Sequence, residues 1–105
     1  MIETLLISGL TCGIATFYGL GDGFHGQRTA NGETFDAYRW TAASPHLPMG
    51  TKIRVTNQDN GRQVIVRIND RGPYSHAGLD LSYSAFAHIA SPRKGNATIC
   101  YRIIG

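Results

Sequence analysis

The feature that most constrains the fold is a pair of alternating segments in the middle of the chain. Residues 51–57 alternate polar with aliphatic side chains, and residues 63–68 place three aliphatic side chains on one face. Residues 58–61, which lie between them, have the sequence Gln-Asp-Asn-Gly, and this is typical of a turn. The arrangement predicts an antiparallel β-hairpin.

The remainder of the chain also shows short strand patterns separated by turn residues. Residues 12–18 predict a first strand and residues 97–104 a closing strand. Ser82 is placed to cap a short helix that ends near Ala90. The core is predicted to include four aromatic residues, Phe17, Phe35, Trp40 and Phe86. Many short strands with one small helix predict a mainly β fold, a small barrel, because closure leaves no sheet edge exposed.

Length and composition limit the chain to one small domain. It has 105 residues, of which 42% are hydrophobic, and no run of about 18 apolar residues that could span a membrane. We expect a single domain over residues 13–105, preceded by an N-terminal segment, residues 1–12, that includes the start of the first strand. We expect a monomer. No export signal is recognised, because residues 5–10 are a short apolar stretch and Glu3 stands where a basic region would be.

The net charge is mildly positive. Ten Lys and Arg against seven Asp and Glu give +3 at pH 7, which favours anionic partners such as nucleic acid or acidic cell-wall polymer. Lys52, Arg54 and Arg67 form a basic face on the predicted hairpin. No nucleic-acid-binding motif accompanies this face, so we expect no nucleic-acid partner.

The two cysteines, Cys12 and Cys100, lie near opposite ends of the chain. They form no CxxC motif or Cys/His cluster, and His25, His76 and His88 lack the spacing of metal ligands, so we predict no metal and no cofactor. A disulfide between the cysteines is the preferred interpretation and would imply an oxidising compartment. Two buried thiols in a reducing cytosol are the alternative.

Asp70 is the first candidate for chemistry among the carboxyl groups. It ends an apolar strand and opens the sequence Asp-Arg-Gly-Pro, a position where a rigid scaffold often presents a catalytic side chain. The alternative is that Asp70 pairs with Arg67 or Arg71, or caps a turn. The glycine-rich loop of residues 19–32 is long enough to have a functional role of its own.

A series of short motifs follows a fixed order from Gly13 onward. They are GIATFYG (13–19), FHG (24–26), TANGE (29–33), TAA (41–43), LPMGT (47–51), RVTN (54–57), NGR (60–62), VRINDRGP (66–73) and DLS (80–82). This series resembles the RlpA-like (rare lipoprotein A) domains. The resemblance implies a six-stranded double-psi β-barrel with one or two short helices. It also implies a peptidoglycan lytic transglycosylase acting outside the cytoplasm, in the periplasm, the cell envelope or a secreted state, with peptide-stripped glycan strands as a preferred substrate.

The resemblance also implies site residues. The family's functional glutamate falls on Glu33, and its proposed catalytic acid falls on Asp70. The family histidine that follows the TAA motif is replaced here by Ser44, and His46 lies two residues further on. Three interpretations stay open: His46 takes over the role, the role is dispensable, or the chain binds glycan without cutting it efficiently.

Residues 79–104 are similar to the barrel domain of expansins, in which the aspartate that matches Asp80 is critical. Asp80 is therefore a second catalytic candidate. The alternative is that it satisfies free N–H groups at the start of the short helix. This similarity also keeps open a non-catalytic module that binds or loosens wall polysaccharide, and a secreted protein-binding barrel such as a protease inhibitor is a further alternative.

The resemblance assigns Asp70 as general acid and base. It would protonate the leaving oxygen, and the N-acetyl carbonyl of the muramyl residue would attack its own anomeric carbon. Loss of the C6 hydroxyl proton to the carboxylate would then give a 1,6-anhydro end, with Glu33 or Asp80 adjusting the pKa of Asp70 or stabilising positive charge. The predicted substrate-binding residues are Tyr18, Phe24, Ser44, His46 and Tyr74.

Overall fold

The computed structural model describes residues 9–73 and 77–105, which form a closed six-stranded barrel. In chain order the elements are β1 (Thr11–Tyr18), β2 (Thr41–Ala43), β3 (Lys52–Asn57), β4 (Gln63–Asp70), β5 (Leu79–Ser82), α1 (Tyr83–Ile89), a 3₁₀ helix (Pro92–Lys94) and β6 (Ala97–Ile103). The candidate residue Tyr74, together with His76 and most of the predicted N-terminal segment, lies outside the described residues. Within the described ranges, no helix has the length and apolar character needed to cross a membrane.

The strands close in the order β1–β5–β2–β4–β3–β6. The β1–β5 and β2–β4 pairs are parallel, and the other pairs are antiparallel. The predicted hairpin is confirmed as β3 and β4, with Ile53 opposite Val66 and Val55 opposite Val64. The predicted fold class, a mainly β six-stranded double-psi barrel with short helices, is therefore confirmed.

The barrel interior is filled by aliphatic side chains, because alternate residues of each strand point inward. The largest fully buried ones are Ile53, Val55, Val66, Ile68, Leu79, Leu81 and Ile99. Helix α1 covers one opening of the barrel with Phe86 and Ile89, and the Phe86 ring lies 4.8 Å from that of the half-buried Phe17. Burial of each such side chain contributes about 1.5–3 kcal/mol, so this interior is the main source of stability.

A second, smaller core lies beneath the loop between β1 and β2. It consists of Tyr18, Phe35, Ala37 and Ala43, and the rings of Tyr18 and Phe35 stack at 4.5 Å. Gly19 follows Tyr18 with a φ of 110°, and a Cβ atom there would clash with the Phe35 ring. Glycine at this position therefore allows the loop to turn directly over the aromatic stack.

Two predictions about packing are wrong. Trp40 is 46% exposed beside His88, because it precedes the short strand β2 on the outside of the barrel. Ser82 occupies the N-cap position of α1 but makes no capping bond. Its hydroxyl instead donates to the carbonyl of Arg39 at 2.6 Å and accepts from the backbone N–H of Thr41 at 3.3 Å, so that it fastens β5 to the segment before β2.

The predicted disulfide is confirmed. Cys12 on β1 and Cys100 on β6 face each other in the antiparallel register, and their sulfur atoms are bonded at 2.01 Å. The bond joins the first and last strands of the barrel.

Candidate functional site

A groove of about 300 Å³ opens where three strands end. Its lining residues are Tyr18, Phe24, Ala43, Asp70, Arg71, Gly72, Pro73 and Asp80. Ala43, at the end of β2, pairs with Asp70 on β4 and with Asp80 on β5. The small Ala43 side chain therefore separates the two carboxyl groups, and the barrel topology brings both sequence-predicted aspartates into one groove.

The Asp70 carboxyl group accepts hydrogen bonds at both oxygens. Oδ1 accepts from the backbone N–H groups of Ala30 and Arg71, each at 2.9 Å, and Oδ2 accepts from the hydroxyl of Tyr18 at 3.1 Å. Three donors therefore fix the position of the Asp70 carboxyl group. The alternative of an Asp70–arginine ion pair is wrong: Arg71 directs its guanidinium to backbone carbonyls, and Arg67 pairs with Glu33.

Tyr18 is held as a hydrogen-bond donor to this carboxylate. Burial raises the pKa of the Tyr18 phenol above its ordinary value, and the negative charge of Asp70 raises it further. The phenol therefore keeps its proton across the physiological range. The predicted binding residue Tyr18 thus lies in the groove with its hydroxyl fixed on Asp70.

Asp80 occupies a different environment in the same groove. Its Oδ1 accepts a hydrogen bond from the Thr16 hydroxyl at 3.0 Å. Burial raises the pKa of Asp80 from 3.8 to about 6; the Thr16 hydrogen bond opposes this shift, and the charges of Asp22 and Asp70 reinforce it. The carboxyl contacts Thr16 on β1 rather than an N–H group of α1 within the described residues, so Asp80 is placed as a titratable group in the groove.

Phe24 reaches the groove on a loop organised by Asp22. The Asp22 carboxylate accepts from the backbone N–H of Gly19 at 2.8 Å and of Phe24 at 3.2 Å. The Phe24 ring is 51% exposed and meets the Tyr18 ring edge-on at 5.6 Å. Sequence reasoning did not select Asp22 or Thr16. The position of Asp22 among glycines is a sequence signal for its role, because an aspartate in a loop often accepts a hydrogen bond from the backbone N–H two residues later.

Glu33 lies apart from the groove, in a larger cavity of about 450 Å³ that Arg67 and Asn69 also line. Arg67 donates to both Glu33 oxygens at 2.7 and 2.9 Å, and the Asn69 amide donates at 3.2 Å. The hydrogen bonds from Arg67 have the largest effect, and the bond from Asn69 adds to it. Together they lower the pKa of Glu33 to about 2. Glu33 therefore remains ionised near neutral pH and has no proton to donate.

The Glu33 ion pair anchors a loop that touches Asp70. In this loop, residues 29–33, the N–H of Ala30 donates to Asp70, and the N–H of Asn31 donates to the carbonyl of Asn69 at 3.3 Å. The loop is thus attached to three positions along β4. Glu33 is connected to Asp70 through the backbone that it holds in place.

Ser44 and His46 lie outside the groove lining. Ser44 is buried, and its hydroxyl accepts from the backbone N–H groups of His46 at 3.3 Å and Leu47 at 3.0 Å. The N–H of Ser44 donates to the carbonyl of Asp70 at 3.1 Å. Ser44 therefore stabilises the turn beside Asp70, and His46 is exposed on that turn. No group of three His, Cys, Asp or Glu side chains suited to a metal ion occurs in residues 9–73 and 77–105.

Comparisons with known proteins agree with the motif series. A family model described as a lytic transglycolase matches residues 10–101. The endolytic peptidoglycan transglycosylase RlpA of Pseudomonas aeruginosa is 51% identical over 88 residues, or 83% of this chain, and the chain spans about a quarter (25%) of that protein.

Two solved structures share the fold. A Streptomyces papain inhibitor superposes with a TM-score of 0.74 and 25% identity, covering 91% of this chain and 94% of the inhibitor. A mutant Clavibacter michiganensis expansin in complex with cellohexaose has a TM-score of 0.72 and 27% identity, covering 91% of this chain and 50% of the expansin. Because the family model matches residues 10–101 of this 105-residue chain, the chain belongs to the RlpA-like lytic transglycosylase family.

Proposed function

We propose that this domain cleaves peptidoglycan glycan strands by a lytic transglycosylase reaction in the groove between Asp70 and Asp80. The observation that carries the proposal is the contrast between the two carboxyl groups. Asp70 accepts three hydrogen bonds, whereas Asp80 is half-buried with a pKa of about 6. Paired carboxyl groups whose environments differ in this way are suited to separate acid and charge-stabilising roles.

This contrast favours Asp80 as the proton donor. The family resemblance alone implies Asp70 for that role. Protonated Asp80 gives its proton to the leaving glycosidic oxygen as the N-acetyl carbonyl oxygen of the muramyl residue attacks the anomeric carbon. The C6 hydroxyl then attacks the same carbon, displaces the carbonyl oxygen and returns a proton to Asp80. No water is consumed, and a 1,6-anhydro end forms.

The Asp70 carboxyl group is assigned to stabilise the positive charge that develops at the anomeric carbon. Tyr18 and the loop of residues 29–33 hold this carboxylate in place, and Glu33 is a positioning residue for that loop. The Phe24 ring at the rim offers an apolar face to a sugar. The disulfide supports an oxidising, extracytoplasmic location, where the wall polymer lies.

Product analysis tests the proposal. Intact and peptide-stripped peptidoglycan are each incubated with the wild type and the Asp80→Asn and Asp70→Asn variants, and soluble products are identified by mass spectrometry. We expect 1,6-anhydro-muramyl ends from the wild type and a loss of at least about 100-fold in each variant, the usual scale for acid catalysis and charge stabilisation. Asp59→Asn, in the β3–β4 turn, is the matched control. Reducing-end products would indicate hydrolysis and overturn the proposal.

A second candidate function is glycan binding without cleavage. The likeness to the expansin that was solved with cellohexaose favours it. Retention on insoluble wall with no released product would support this candidate. The likeness to the papain inhibitor also justifies a direct assay of papain inhibition with the same protein sample.

A further inference from the structure

Four cations project from the outer surface of three neighbouring strands. They are Lys52 and Arg54 on β3, Arg67 on β4 and Arg102 on β6, and we call this surface the basic face. Lys52 is directly opposite Arg67 in the β3–β4 pair, and Arg54 is directly opposite Arg102 in the β3–β6 pair. Like charges facing each other across strands destabilise a sheet, so the folded barrel alone gives no reason for this arrangement.

Among the described residues, an ion pair compensates one of these charges. Arg67 is bonded to Glu33. Lys52, Arg54 and Arg102 are exposed and have no acidic partner within 4.0 Å among residues 9–73 and 77–105. Three exposed cations without an acidic partner in the described part of the chain favour an external anion.

A small cavity at the edge of the basic face adds a place for an apolar group. It measures about 250 Å³ and is lined by Trp40, Arg54, Gln63, Val64 and Ile65. The Trp40 ring is about half exposed, and Ile65 is also exposed. An open indole face can pack against the C–H groups of a sugar, and an adjacent guanidinium can bind a carboxylate through two parallel N–H groups.

We propose that the basic face and the Trp40 cavity form a second glycan-binding surface, for strands whose sugars bear a carboxylate directly. Trp40 and Arg54 line one cavity of about 250 Å³, so the ring that packs on the indole and the acid that meets the guanidinium must lie close together, as they do within one sugar residue. A carboxylate at the far end of a peptide does not meet this requirement. The inference rests on the proposed function, since wall glycan is taken as the polymer.

This surface is separate from the catalytic groove. The two share no lining residue, since the groove is lined by Tyr18, Asp70, Asp80 and their neighbours at the ends of β1, β4 and β5. A strand held by the basic face therefore leaves the groove free. The surface would keep the domain attached to the polymer between cleavage events.

Co-sedimentation with insoluble, peptide-free peptidoglycan tests this inference. The same material with its carboxyl groups converted to amides serves as the uncharged probe. The test variants are Arg54→Gln/Arg102→Gln and Trp40→Ala, and the matched control is Arg93→Gln/Lys94→Gln, which removes two charges from the 3₁₀ helix. A thermal melt of each variant reports folding.

We expect affinity for the peptide-free glycan to fall about 10-fold on amidation and about 10-fold in the double arginine variant, the scale of one lost charge-assisted contact. Trp40→Ala should also weaken binding, and the control pair should bind within about twofold of the wild type because it lies off the basic face. Unchanged binding by the folded double variant, or equal binding to the amidated glycan, overturns the inference. Preferential binding of a DNA oligonucleotide at equal ionic strength also overturns it.

These outcomes are independent of the cleavage assay. Arginine-dependent retention without anhydro products would remove the proposed function and leave the second surface in place. Anhydro products together with arginine-independent retention would support the proposed function and overturn the second surface.

Discussion

The hydroxyl of Thr16 donates a hydrogen bond to Oδ1 of Asp80 at 3.0 Å, across the parallel pairing of β1 and β5. Burial raises the pKa of Asp80 to about 6, and this hydrogen bond acts in the opposite direction because it stabilises the ionised form. Thr16 therefore limits how far the pKa of Asp80 rises, and under the proposed mechanism the pH range of cleavage depends on a residue that forms no part of the groove lining.

Replacing Thr16 with valine should move the pH profile of cleavage upward. Asp80 loses the hydrogen bond that favours its ionised form, so its pKa should rise further above its ordinary value. Because the proposed mechanism requires protonated Asp80, activity should fall as pH rises through that pKa, and in Thr16→Val this fall should occur at higher pH. The profile is measured as kcat/KM between pH 4 and 9. Thr98→Val, on the exposed side of β6, should leave the profile unchanged, and an unshifted Thr16→Val profile would argue against Asp80 as the acid.

The pH dependence of the free energy of unfolding should report the raised pKa of Asp80 independently of activity. A carboxyl whose pKa is raised in the folded state contributes stability below its unfolded pKa, near 4, and loses it as pH rises through about 6. Asp80→Asn should therefore be more stable than the wild type at pH 8, by about 1–2 kcal/mol once partial solvent exposure is allowed for. The difference in the free energy of unfolding between Asp80→Asn and the wild type should disappear by about pH 4. Urea unfolding at the two pH values measures it, and a pH-independent difference would contradict the raised pKa.

Glu33 should show the opposite pH dependence. Its pKa is lowered to about 2 by Arg67 and Asn69, so the stability it contributes is present above the unfolded pKa, near 4.5, and is lost as pH falls toward 2. The wild type should be more stable than Glu33→Gln by about 0.5–1 kcal/mol at pH 7, since the ion pair is partly open to water. The difference should shrink between about pH 4.5 and 2. Paired denaturation curves at pH 7 and 3 test this, and a constant difference would exclude the ion pair as its source.

The alternation of β3 and β4 and the ordered motifs were sufficient to predict the barrel and to place Asp70 and Asp80 as candidates. The Thr16–Asp80 bond could not be predicted, because it depends on parallel pairing between strands more than 60 positions apart. Trp40 was assigned to the core on hydrophobicity alone, yet its position before β2 leaves it on the surface. The ion pair between Glu33 and Arg67 also could not be predicted, because the loop that carries Glu33 contacts β4 only in the folded chain.

The hydrogen bonds of the Ser44 hydroxyl also could not be predicted from the sequence. Replacing Ser44 tests whether that hydroxyl stabilises the turn after β2. Ser44→Ala removes a buried hydroxyl that accepts from two backbone N–H groups in the turn after β2. The free energy of unfolding should fall by about 1–2 kcal/mol, the cost of a lost cap or of an unsatisfied buried donor. Ser91→Ala is a matched control, because Ser91 makes no side-chain capping bond. Equal stability of the two variants would show that the Ser44 hydroxyl does not support the turn.

Reducing the Cys12–Cys100 bond should lower the stability of the barrel substantially. The bond closes a loop with a sequence separation of 88 residues, and the chain-entropy model assigns a crosslink of that span about 4–5 kcal/mol through the unfolded state. The bond also joins β1 to β6, which pair with each other in the closed barrel. Thermal melts with and without reductant should therefore differ by many degrees in the wild type. The Cys12→Ser/Cys100→Ser variant should melt like the reduced protein and should not respond to reductant. If the wild type melts at the same temperature in both conditions, the crosslink contributes no stability and the barrel is held by its aliphatic interior alone.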